Sequence, residues 1–141
     1  MRIFFAIQCE PNPGGPSFAA MIAYDDDGNA VFSKARYLGC GPEFSNNSTA
    51  YRALIRVLRW VKQSCSEKAI IFTDQEILTK QISGEWECRS DRLRPLLDEA
   101  KARLAEIEAE LRYIPARENH QARILCRLAA NQARREEGKA G

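Results

Sequence analysis

Short apolar runs broken by turn residues open the chain, and a helical period follows. Arg2 to Cys9 (RIFFAIQC) is apolar and rich in strand formers, and the proline- and glycine-rich Pro11 to Pro16 cannot continue it. Ser17 to Tyr24 (SFAAMIAY) predicts a second strand. Asp25-Asp26-Asp27-Gly28-Asn29 predicts a tight turn, with Gly28 available for a positive φ. From Ala30 to Leu38, Val31, Ser33, Ala35 and Tyr37 alternate with Phe32, Lys34, Arg36 and Leu38, which predicts a third strand and an antiparallel meander. Ala50, Leu54, Val57, Leu58 and Val61 then recur at helical spacing over 46–62, with Ser45 or Asn46 placed to cap. Lys68 to Thr73 predicts a short buried strand of the parallel kind. Gln75 to Ile82 predicts a short helix ended by Gly84, and Asp91 to Ala109 a long one. Ala109 to Pro115 predicts a fifth strand, and Asn119 to Glu136 a last helix capped by Asn119.

The order is β-β-β-α-β-α-α-β-α. It predicts an α/β fold: a five-stranded mixed sheet, three antiparallel strands and then two parallel ones, with helices on both faces. There is no repeat or internal linker. Residues 1–136 are expected to form one domain and 137–141 a flexible polar tail.

Composition narrows the function classes. The 141 residues are 45% hydrophobic and 28% charged, an ordinary globular mix. No apolar run approaches the ~20 residues of a membrane span, and the start lacks a signal-peptide pattern, so a cytoplasmic protein without a membrane partner is expected. Twenty-one Lys and Arg against 19 Asp and Glu give a net charge of +2, which excludes a strongly basic nucleic-acid binder but not a local basic face. Two stripes qualify: Arg52, Arg56 and Arg59 on the first helix, and Arg123, Arg127 and Arg134 on the last. They read either as phosphate contacts or as solvated faces. Cys9, Cys40, Cys65, Cys88 and Cys126 are widely spaced, and His120 is the single histidine, so no zinc cluster is on offer and reduced thiols are expected.

Four segments, in order and on the expected elements, resemble the ribonuclease H type 1 family. Cys9-Glu10-Pro11-Asn12-Pro13-Gly14-Gly15 is similar to its Asn-Pro-Gly loop, and Asn46-Asn47-Ser48-Thr49-Ala50-Tyr51-Arg52-Ala53-Leu54 to its first-helix motif. Thr73-Asp74 followed by Gln81-Ile82-Ser83-Gly84-Glu85-Trp86 resembles its Asp-Ser and Gln-x-x-Gly-x-Trp segments. Ile114 to Arg123 resembles its Pro-Arg-Glu-x-Asn-x-x-Ala-Asp run. The connection from Gly84 to Asp91 is too short for the basic protrusion some members carry, so the compact form is expected.

The resemblance implies a nuclease that cuts the RNA strand of an RNA–DNA hybrid with two divalent cations, Mg²⁺ or Mn²⁺, about 3.5–4 Å apart. Such cations need several converging carboxylates. The family's four positions fall here on Ala6, Ala50, Asp74 and Arg123, so Asp74 is the one carboxylate kept. Two methyls, one carboxylate and one guanidinium cannot hold a Mg²⁺ pair, and no metal or other cofactor is expected. By the family geometry Arg123 faces Asp74 and is expected to pair with it, the alternative being an Arg123 on a solvated helix face. By resemblance, Asn12, Gly14, Asn46, Asn47, Trp86 and Arg117 contact nucleic acid. Asn46 and Asn47 read equally as helix caps, and Trp86 as a core aromatic.

Three readings follow. The first is a catalytically silent ribonuclease-H-like domain binding RNA–DNA hybrid or RNA. The second is a metal-dependent hybrid endoribonuclease whose carboxylates are relocated or were removed from an active parent. The third is a protein-interaction domain on the same fold.

Overall fold

A computed structural model describes residues 1–140. Strands β1 (Arg2–Cys9), β2 (Ser17–Tyr24) and β3 (Ala30–Gly39) lead into helix α1 (Asn46–Ser64). Strand β4 (Ala69–Thr73), helices α2 (Glu76–Ile82) and α3 (Arg94–Ala105), strand β5 (Ala109–Tyr113) and helix α4 (His120–Ala140) complete the chain. The sheet order is β3-β2-β1-β4-β5. β2 pairs antiparallel with β1 and β3, and β4 pairs parallel with β1 and β5. This is the mixed sheet that the element order predicts.

Strand alternation sends side chains to opposite faces, and each face finds a helix. Ile3 and Phe5 of β1, with Met21 and Ala23 of β2, pack against Tyr51, Leu54, Leu58 and Val61 of α1 and Leu97 of α3. On the other face Ala6, Phe18 and Ala20 meet Ala122, Cys126 and Ala130 of α4. That second seam is built of small side chains, which let the helix lie close to the sheet.

The Ser45 hydroxyl starts α1 by accepting from the Ser48 N–H at 3.1 Å, and Ser48 Oγ accepts from the Ser45 N–H at 2.8 Å. This is a capping box, so Ser45 rather than Asn46 caps the helix. The expected 91–109 helix is shorter than its apolar period suggests. Pro95 fits the first turn of α3, where its missing N–H costs nothing, and 91–93 form a turn. α4 continues past the expected end at Glu136 to Ala140; Gly141, the last residue of the expected tail, lies outside the described residues. Cys9, Cys88 and Cys126 are buried and Cys40 is exposed, all as free thiols. No helix among the described residues is long and apolar enough to cross a membrane.

One buried polar contact ties α1 to α2. The Tyr51 hydroxyl, fully buried, donates to Gln81 Oε1 at 2.6 Å. Burial also pushes the phenol well above its ordinary range, so it stays a donor at any working pH. Tyr51→Phe leaves the Gln81 oxygen unpaired, and a loss of about 1–3 kcal/mol is expected in urea unfolding. An unchanged midpoint would show that water replaces the contact.

Candidate functional site

The site lies where β1, the end of β4 and the start of α4 meet. Phe5 and Thr73 are the last paired residues of β1 and β4, so Ala6 and Asp74 come next in neighbouring strands. The Asp74 side chain is only 4% exposed, and both of its oxygens are occupied by donors. Arg123 Nη1 donates to Oδ2 at 2.8 Å. Asn119 Nδ2 and Gln75 Nε2 each donate to Oδ1 at 3.3 Å. The expected pairing of Arg123 with Asp74 is thus present, and the guanidinium is 42% exposed at the rim. It uses one of its five N–H donors on this carboxylate.

Asn119 does more here than its expected capping role. It is buried, and its Nδ2 also donates to the Phe5 carbonyl at 2.8 Å, bridging β1 to Asp74. Its Oδ1 is buried without a partner, so the side chain does not cap α4. Asparagine before a helix signals a cap in any sequence; its use as a bridge follows only from the meeting of β1, β4 and α4. Gln75 was equally invisible as a partner of Asp74.

The other two carboxylate positions are filled by methyl groups. Ala6 and Ala50 are each 1% exposed and belong to the two apolar cores on opposite faces of the sheet. Among the described residues no group of three or more His, Cys, Asp and Glu could hold a metal ion. Glu10 faces Arg134 at 3.4 Å instead, and Asp25 accepts from the N–H groups of Asp27 and Asn29 in the far hairpin. The donor set does not fit the cation pair that the fold family implies. One carboxylate that already accepts from a guanidinium and two amides, with no second carboxylate beside it, offers little to a pair of hard dications.

The loop before β2 is tightly built. A Cβ on Gly15 would stand 2.3 Å from the Glu10 carbonyl carbon, so only glycine closes the turn. Gly14 (φ +93°) donates its N–H to the Phe44 carbonyl at 2.7 Å. Asn12 Oδ1 accepts from the Asn46 N–H at 2.9 Å, joining this loop to the start of α1. With Ser45 as the cap, the Asn46 and Asn47 side chains form no hydrogen bond among the described residues, and Asn46 is exposed. Trp86 is 43% exposed, which removes the core-aromatic reading. Arg117 is exposed on the turn before α4. Of the two arginine stripes, Arg59 pairs with Glu99 at 3.8 Å and Arg134 with Glu10, while Arg56 and Arg127 have no acidic partner among the described residues.

This fold, with its end-of-sheet site, defines a ribonuclease-H-like domain. The chain belongs to the reverse-transcriptase-like family, whose model matches residues 8–129. Among solved structures, it is similar to ribonuclease H1 of the halophilic archaeon Halobacterium salinarum (23% identity, TM-score 0.84, covering 93% of this chain and 97% of that one). LC11 ribonuclease H1, isolated from compost and solved in complex with an RNA/DNA hybrid, matches with 22% identity and a TM-score of 0.82, covering 94% and 97%. The N-terminal ribonuclease H domain of a Mycobacterium tuberculosis protein matches with 21% identity and a TM-score of 0.80, covering 96% and 98%. These likenesses establish the fold.

Below Asp74, burial pushes the Cys126 thiol up to about 12, with Arg123 pulling the other way and Asp74 adding to the rise. The unfolded thiol ionises near its ordinary value, so above about pH 9 the unfolded chain releases a proton that the folded one keeps. The corresponding stability is complete below pH 9 and falls as the pH climbs toward 12. Thermal melts between pH 8 and 11 should therefore decline less steeply for Cys126→Ala than for the unaltered protein. Parallel declines would show that the thiol is not held protonated by the fold.

Proposed function

We propose that this chain is a ribonuclease-H-like domain that holds nucleic acid, an RNA–DNA hybrid or RNA, across the groove beside Asp74 without cutting it. The observation that carries this reading is the state of Asp74. In-line phosphoryl cleavage by a two-metal site needs several carboxylate lone pairs free for cations, and here Arg123, Asn119 and Gln75 occupy most of those on the one carboxylate present. Ala6 and Ala50 supply none.

Binding has separate support. Asn12, Asn46 and Asn47 cluster at the start of α1, with amide groups suited to sugar and phosphate oxygens. Gly14 brings the loop backbone to the same place. Exposed Trp86 offers a stacking face, and Arg117 and the free edge of Arg123 offer charge. The hybrid held by the compost ribonuclease H1 makes this ligand class the first to test.

The test is binding of a fluorescent RNA–DNA hybrid, beside duplex DNA and duplex RNA, with and without Mg²⁺ or Mn²⁺. The account predicts binding that prefers hybrid, ignores the cation and leaves the RNA strand intact. Two phosphate contacts weaken affinity about tenfold between roughly 50 and 200 mM salt, and Arg117→Ala lowers that slope by about one. Trp86→Ala should cost about 1 kcal/mol or more. Cation-dependent cleavage would replace this reading with that of an active endoribonuclease. Absence of binding to all three at low salt would turn it toward a protein-interaction domain.

A further inference from the structure

A second cationic cluster lies away from Asp74, about three turns into α1. There α1 and the strands β2 and β3 line an open cavity of about 290 Å³, near the lower end of small-ligand sites. Met21, Phe32 and Trp60 contribute apolar walls, and the Phe32 and Trp60 rings stack at 5.0 Å and 24°. Lys34, Arg36, Arg56 and Arg59 also line it, and no Asp or Glu does among the described residues. The alternation of β3 explains this, because Phe32, Lys34 and Arg36 share the face turned to α1.

Like charges gathered on an apolar surface without a counter-charge repel one another. Partial desolvation, and then Arg36 and Arg59, disfavours the charge on Arg56, which solvent still reaches. Among the described residues, Arg59 has Glu99 at 3.8 Å, and that carboxylate is shared with Arg103 at 2.8 Å. Arg56 and Arg59 also border a smaller adjoining cavity of about 160 Å³, where Arg52 Nε is buried without a hydrogen-bond partner. An anion would relieve Lys34, Arg36 and Arg56, and the ring-lined wall suits a flat apolar body behind it.

We propose that the cavity between β2, β3 and α1 is a binding site for a small anion carried on a flat ring, of the nucleoside monophosphate class. The anionic group sits among Arg36, Arg56 and Lys34, and the ring lies against Phe32 and Trp60. The site is independent of the groove at Asp74 and needs no metal.

Calorimetric titration and thermal melts with adenosine monophosphate, adenosine and inorganic phosphate test it. Adenosine monophosphate should bind saturably, raise the melting temperature and quench Trp60. Adenosine or phosphate alone should bind about tenfold more weakly or worse, since each supplies half of the contact. Arg36→Ala and Arg56→Ala should each weaken adenosine monophosphate about tenfold. Without ligand both variants should melt no lower than the unaltered protein, because each removes a repulsion. Lys101→Ala, a charge change on α3 outside the cavity, should bind as the unaltered protein does. Absence of saturable binding, or binding indifferent to Arg36 and Arg56, overturns the proposal. Binding of an RNA oligomer through these arginines, with adenosine monophosphate silent, also overturns it and makes the cluster a nucleic-acid track.

Discussion

The contact between the Arg123 guanidinium and the Asp74 carboxylate closes the end of the sheet. It joins the end of β4 to the first turn of α4, and Asn119 extends the joint to β1 through the Phe5 carbonyl. Asp74 is almost wholly shielded from water, and a carboxylate there without a partner would be costly. A positive charge beside it offsets that cost. In this chain the cation is covalently part of α4, always charged, and delivered by the same helix that packs the second face of the sheet.

The packing around the pair follows from that choice. With the positive charge supplied by a side chain, the neighbouring positions have no ions to hold and are free to be apolar. Ala6 joins Phe18, Ala20, Ala122, Cys126 and Ala130 in a seam of small residues, and Ala50 joins the larger core under α1. Cys126 belongs to the same change, since its thiol is kept protonated by that apolar seam. What stays polar is the rim: the Asn12 to Asn46 junction, Trp86, Arg117 and the outer edge of Arg123. The interior is apolar on both sides of the pair, and the polar side chains gather at the rim.

Much of this was legible in the sequence. Apolar runs broken by turn residues marked the meander, with alternation in its third strand, and the apolar run at 68–73 marked a buried parallel strand. Helix ends were harder, because the apolar period of α3 runs on into residues that form turns. The pairing of Arg123 with Asp74 was visible only through a family resemblance that put the two at one point in space. Asn119 and Gln75 could not be assigned to Asp74 from sequence, since asparagine and glutamine serve caps and surfaces as readily as buried bridges. The cavity at Arg36 and Arg56 was hidden for a similar reason. The stripe on α1 and the alternation on β3 are each ordinary, and only the packing of one against the other concentrates their charge.

A double-mutant cycle with Asp74→Ala, Arg123→Ala and the double variant, read by urea unfolding, tests the central claim most directly. If the guanidinium holds the carboxylate in place of a metal, the two changes couple by about 1–2 kcal/mol, a shielded pair with one partner half exposed. Additive losses, with coupling below about 0.3 kcal/mol, would contradict it and leave Asp74 held by the amides of Asn119 and Gln75 alone.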